Sequence, residues 1–516
     1  MPIKSAFIAF ALLFLSTAAQ AQSFTEEGAS QIKAELQSWL DRKVELINLD
    51  ETAEAEDNAP ANVISANGDV TVTPQDGYYA AKLPFLTFNF RNGGRFELGQ
   101  IAMNIIPAEG DLWRTTMALP KTMDIISVDG STSSTISIDQ QRFSGIWDTE
   151  QETYIRYEAD YTDISVNGYD EYGMTTIGRI HMVQDFRPVD EAENVYSGPS
   201  NLEISNIDFV RNGVRKIQGS IESLTSQNQY SEYHLFDSRA YDEKLLNLSQ
   251  TEESNGAFTF WSSMIDLFDF IPKAYTGDII ANNVTVSTET PEEKKNITLD
   301  RLTFETYGQA MKSDDAETGF RYEVENLQTE GFAELPSSYL PTDATMNIKV
   351  TRLALDSLAK YLEDTLQNYA TQNPDLTAEQ KEKQLTQSLK AVPLLLAKNG
   401  VTIHLDGSRM KSEKLQTEIN GHFTGNTDAE ILLVGDLTLK INGMPQASLD
   451  IHRAIQGKMG NPQFLQPLFL GITVAQGLGQ PAPDGEGLIY KFELLENGEI
   501  LVNTLNFKDM LNTKLH

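Results

Sequence analysis

From Val63 to about Phe258 apolar and polar residues alternate in short runs. In "TYIRYEADY" Tyr154, Arg156, Glu158 and Asp160 fall on one side of an extended chain, and Ile155, Tyr157, Ala159 and Tyr161 on the other. That is the period of a strand with one wet face. Runs such as "VTVTP", "FELGQIAMNIIP", "TIGRIHMVQDF" and "NLEISNIDFVRNGV" are rich in β-branched and aromatic residues and are divided by Asn-Gly, Asp-Gly and Gly-Gly punctuation. They predict a mainly antiparallel β body.

Helical spacing interrupts this pattern in several places. Near the start, Ile32, Leu36, Leu40 and Val44 recur at intervals of four, with Thr25 as a candidate cap, and an acidic loop is expected from Asp50 to Asn62. "AFTFWSSMIDLFDFIPKAY" places Phe260, Met264, Leu267, Phe268 and Ile271 on a broad apolar face opposite Ser262, Asp266, Asp269 and Lys273. "LALDSLAKYLEDTLQNY" and the stretch after Asn373-Pro374 predict a helical hairpin whose second arm gives way to a strand after Asn399-Gly400. "QFLQPLFLGITVAQGLG" predicts a short bent helix.

One motif recurs inside the strands. "ISIDQQRF" (Ile136 to Phe143) returns as "ITLDRLTF" (Ile297 to Phe304) and as "IHLDGSRM" (Ile403 to Met410). In a straight strand the leading aliphatic pair and the final large residue would face opposite sides. To keep both on one apolar side, the chain must spend a residue on a bulge or tight turn near the Asp. This expectation makes Phe143, Phe304 and Met410 buried anchors and leaves Gln140 and Gln141 unimportant. "YIRYEAD" and "GFRYEVEN" extend the first two copies to a second strand, as duplicated units would.

Charge narrows the partners. The 516 residues carry 74 acids against 40 bases, a net of -34, which repels nucleic acid and anionic headgroups over about 10 Å. Lys4, the apolar run from Ala6 to Thr17 and "AQA" at Ala19 to Ala21 have the three parts of a secretory signal. The run is short of the roughly 18 apolar residues a span requires, so cleavage after Ala21 and a periplasmic location are expected, with an extracellular one as alternative. No Cys is present, and no stable transmembrane span is expected after cleavage.

Catalytic signatures are missing. G-x-S-x-G, the phosphate-binding G-x-x-x-x-G-K-[ST], G-x-G-x-x-G and H-E-x-x-H do not occur. Of the six His, His404 and His422 could meet across paired strands. "SDDAE" and "DTEQE" lack the glycine and ligand spacing of a calcium loop. No catalytic residue, cofactor or metal follows from the sequence.

"AVPLLLAKNGVTIHLD" (Ala391 to Asp406) and the ending "GLIYKFELLENGEILVNTLNFKDML" (Gly487 to Leu511) resemble the closing regions of the YdgA-like envelope proteins of Gram-negative bacteria. The resemblance implies an exported, mainly β fold with helical insertions, and it transfers no functional residues. That family keeps its N-terminal segment as an anchor, whereas "AQAQ" here favours release.

The resulting expectation is a mainly β (α+β) protein, an elongated antiparallel sheet of repeated curved units with amphipathic helices on the concave side. The segments are 1–21 (signal), 22–62 (helix and acidic loop), 63–256 (first β-unit), 257–350 (apolar helix and second β-unit), 351–400 (helical hairpin) and 401–516 (C-terminal β-unit with a short helix). The expected role is non-catalytic binding of a lipid or acyl chain by Phe260, Met264, Leu267, Phe268 and Phe270. An envelope scaffold that binds a protein partner and a carboxylate-dependent hydrolase are the alternatives.

Overall fold

The structure is a computed structural model that describes residues 24–52, 63–168, 173–190, 194–213, 215–234, 239, 242–243, 271–331, 337–371, 378–457 and 462–508. The signal segment and the ligand residues expected at Phe260, Met264, Leu267, Phe268 and Phe270 lie outside the described residues. The chain is mainly β, with antiparallel pairing throughout the described ladders and helical insertions. Its contacts divide it into an N-terminal unit (1–157 with 237–245) and a C-terminal unit (158–236 with 246–516).

In the N-terminal unit, α1 (Glu26–Thr52) begins where Thr25 Oγ1 accepts from Gly28 N–H at 3.1 Å. It runs into the stretch expected to be loop, taking in Asp50 to Thr52. Its Ala29, Ile32, Leu36 and Leu40 are buried against Tyr79, Leu86 and Ile105 of the strands and against Val70 and Leu83 of their connections. Each such Ile, Leu or Val side chain contributes about 1.5–3 kcal/mol on full burial.

The strands are β1 (Val63–Asn67), β2 (Thr71–Gln75), β3 (Tyr78–Lys82), β4 (Phe85–Asn89), β5 (Arg95–Gly99), β6 (Ala102–Pro107), β7 (Leu112–Ala118), β8 (Thr122–Ile126) and β9 (Thr132–Asp148). Two antiparallel series, β1-β4-β5-β8 and β2-β3-β6-β7, both end on β9. β9 pairs with β8 through residues 132 to 137 and with β7 through residues 144 to 148.

The first motif copy lies at this change of partner. Ile138 and Phe143 are both buried although they stand five positions apart, as the parity break expected from the sequence requires. Gln141 is a correction. Its Oε1 accepts from Leu119 N–H at 2.8 Å and its Nε2 donates to Leu119 O at 2.7 Å, which holds the segment between β7 and β8.

After β10 (Thr153–Gly168), the C-terminal unit continues with β11 (Met174–Asp185), β12 (Arg187–Asp190), β13 (Val195–Arg211), β14 (Lys216–His234), β15 (Ala274–Glu289), β16 (Lys294–Gln309), β17 (Glu317–Glu325), β18 (Gln328–Glu330) and β19 (Asp343–Thr351). Three helices follow, α2 (Leu355–Thr371), α3 (Ala378–Leu389) and α4 (Val392–Asn399). The expected second arm is therefore broken before Pro393, whose ring cannot continue a helix with full hydrogen bonding. Gly400 (φ 71) ends α4 and the predicted strand follows.

The chain then forms β20 (Thr402–His404), β21 (Ser408–Lys411), β22 (Gln416–Gly425) and β23 (Leu433–Asn442). Next come α5 (Met444–Gln456), α6 (Pro462–Leu478), β24 (Gln480–Pro481), β25 (Leu488–Leu494), β26 (Ile500–Val502) and β27 (Leu505–Asn506). Each long strand pairs antiparallel with the next: β11-β13-β14-β15-β16-β17-β19, then β20 and β21, then β22-β23-β25.

Candidate functional site

Cross-strand partners share a face of a sheet, so the register fixes which side chains line up. One row reads Ile177, Ile207, Ile221, Val284, Leu299. A second reads Ile180, Ile204, Leu224, Ala281, Leu302, Val324, Ala344, Met410. In β11, β13, β14, β15 and β16 the two rows are three residues apart rather than two, which in a regular strand would put them on opposite faces.

The unpaired residues between the rows restore a single face. Gly178, Asn206, Glu222, Asn283 and Asp300 are passed over in the ladders at one level of the sheet, and Asn326 continues that level. Asn206, Asn283 and Asn326 have φ of 54°, 49° and 53°, a left-handed conformation that Asn tolerates better than most residues. The polar side chains at this level bond one another: Asn283 Nδ2 donates to Glu222 Oε2, and Asn326 Nδ2 donates to Asp300 Oδ2 at 2.8 Å. With one residue spent in each strand, the apolar rows stay together and the polar row Arg179, Ser205, Ser223, Asn282, Arg301 lies on the other face.

The second motif copy is part of this device, because its Asp300 is the residue spent between Leu299 and Leu302. In the third copy the break separates β20 from β21 at Leu405 to Gly407, with Gly407 at φ 72°. The anchor expectation, however, holds for the first copy alone. Phe143 is buried, whereas Phe304 and Met410 are exposed.

Phe304 belongs to a third row, Met182, Leu202, Ser226, Ile279, Phe304, Tyr322, Met346, which crosses seven strands. Within it Ile279 is 48% exposed, Phe304 37%, Tyr322 37% and Met346 42%. These four are neighbours on adjacent strands and form a continuous apolar strip. At 4.7–4.9 Å between strands it is roughly 14 Å long from first to last, about half the ~30 Å hydrocarbon core of a bilayer and so close to one acyl chain.

Helices close the C-terminal strands. A Cβ on Gly425 of β22 would stand 2.7 Å from Ala397 Cα, so α4 approaches the sheet closely at a residue without a side chain. Tyr490 of β25 donates to Ala475 O of α6 at 2.9 Å, and Met444, Ala447, Ile451 and Leu465 of α5 and α6 are buried. Asp450 fixes α5: it accepts from Tyr339 Oη at 2.5 Å, Lys414 Nζ at 3.1 Å and Gln446 Nε2 at 2.8 Å. The Tyr339 hydrogen bond first, then that of Lys414, hold its carboxyl at about 2, below the ordinary 3.8.

A carboxyl depressed on folding stabilises above its unfolded pKa, and the contribution is lost as pH falls through the folded value. Asp450→Asn is therefore expected to flatten the loss of melting temperature between pH 4 and 2. An unchanged acid limb would remove Asp450 from the docking of α5.

The opposite face is polar. His404 and His422 meet as register partners, with ring centroids 6.5 Å apart, and His422 Nδ1 lies 3.3 Å from Asp436 Oδ1. Among the described residues no cluster of His, Cys, Asp and Glu suits a metal ion. Tyr307 donates to Glu317 Oε1 at 3.1 Å, and its phenol is pushed up to about 12 by burial and then by that carboxylate. It stays protonated at neutral pH and is a poor nucleophile.

No family model matches the chain, and no curated protein or solved structure matches it.

Proposed function

We propose that the C-terminal unit holds an apolar envelope ligand, an acyl chain laid across the strands along Ile279, Phe304, Tyr322 and Met346. The observation that carries this is the strip itself: four large apolar side chains in register, left 37–48% exposed on a face kept apolar by a row of bent strands. Contiguous exposed apolar surface marks a binding site, whereas scattered exposed side chains need no explanation. In this reading the role is non-catalytic, in a periplasmic protein of the YdgA-like kind built of repeated units, which the shared parity breaks support, with α4, α5 and α6 over one end of the apolar side.

Native mass spectrometry of protein purified without detergent from its own envelope tests this. A bound species of lipid mass, released on denaturation, is the expected result. An empty protein from the same preparation would sink the lipid reading and favour a scaffold that docks an envelope protein on this face.

A further inference from the structure

The chain has four Trp, and three of them line one cavity of about 540 Å³ in the N-terminal unit. Trp113 of β7 and Trp147 of β9 are cross-strand partners. Trp39 comes from α1, its ring 6.1 Å from Trp147 and at 85° to it. Two indole faces at a right angle make a corner, and the indole face carries the negative side of its quadrupole.

The charges around this corner are mostly negative. Glu35, Asp111 and Glu150 line the cavity against one lining guanidinium, Arg239, which donates to Glu243 at 3.1 Å. Deeper in the wall Glu152 is 10% exposed, pairs with Arg42, and leaves its Oε2 without a hydrogen-bond partner among the described residues. Arg42 is itself shared with Asp242, which Lys43 also reaches, at 2.5 Å. The inner network of Arg42, Lys43, Glu152 and Asp242 is therefore balanced, and the rim carboxylates set the potential of the cavity.

Aromatic faces with nearby carboxylates favour a cation, and a weakly hydrated one gains most because it gives up little solvation on leaving water. We propose that this cavity binds an alkylated ammonium ion of the choline type, with Trp39 and Trp147 against the methyl groups and Glu35, Asp111 and Glu150 supplying the field. The ion is a free solute, since a phosphodiester beside the ammonium would meet the same carboxylates.

Because three of the four Trp line the cavity, the emission of the full chain reports on it directly. Choline in 150 mM salt is expected to change that emission saturably, with matching heat in calorimetry. Its neutral isostere 3,3-dimethylbutan-1-ol is expected to do neither. Glu35→Gln should weaken binding at least about threefold and Trp39→Leu at least about tenfold. Asp69→Asn, which removes a 78% exposed charge outside the cavity, should match wild type. Should Trp39→Leu fail to fold, Glu35→Gln alone decides. No saturable choline signal, an equal response to the isostere, or equal losses at Glu35 and Asp69 would overturn the site. Tighter binding of glycerophosphocholine than of choline would overturn the free-solute source and assign the site to a lipid headgroup.

Discussion

Phe143→Ala is expected to lower the unfolding free energy by about 3–5 kcal/mol, and Phe304→Ala by roughly 1 kcal/mol or less. The two residues occupy the same place in two motif copies, so sequence alone would give them equal weight. Their surroundings differ. Phe143 is 7% exposed, stacks on Tyr157 at 6.0 Å and meets the edge of Tyr154 at 5.1 Å. Removing its ring opens a cavity among aromatic neighbours that cannot close over it. Phe304 faces its register partner Tyr322, with Phe320 6.0 Å away, but more than a third of it is open, so solvent fills the space a truncation leaves. Denaturant melts of the two variants measure the difference. Equal losses would mean that Phe304 is covered as Phe143 is and that the strip is not open to solvent.

The same contrast separates what the sequence carried from what it did not. Alternation identified the strands, and the four-residue spacing of Ile32, Leu36 and Leu40 identified the face that α1 buries, because both signals come from one element against one core. The motif correctly announced a parity break. It could not say whether the side chains beyond the break meet a core or solvent, since that depends on what lies over the sheet.

The bent row was legible in principle. Ile177/Ile180, Ile204/Ile207, Ile221/Leu224, Ala281/Val284 and Leu299/Leu302 all step by three inside strands otherwise stepping by two. The common level of those steps appears only when the strands are set in register. Trp39, Trp113 and Trp147 had no local signal, because tertiary pairing alone brings them together.

The strongest functional consequence falls on the exposed strip. Phe304→Asp and Ile279→Asp are each expected to weaken retention of a bound acyl chain by at least about 100-fold, some 2.8 kcal/mol at about 1.4 kcal/mol per decade. Covering a carboxylate with a hydrocarbon chain removes it from water with no hydrogen bond in return, and that desolvation exceeds what the rest of the strip recovers. In the free protein the new carboxylate stays hydrated at positions 37% and 48% exposed, so the melting temperature should move by only a few degrees. Glu305→Gln changes the adjacent residue on the polar face and should leave ligand retention intact, as should the apolar Phe304→Leu. The readout is the lipid-to-protein ratio of each variant after identical detergent-free purification. Retained lipid in both Asp variants would place the ligand elsewhere or remove it altogether. Variants that lose lipid only because they unfold would show that this face is held against protein rather than kept open for a chain.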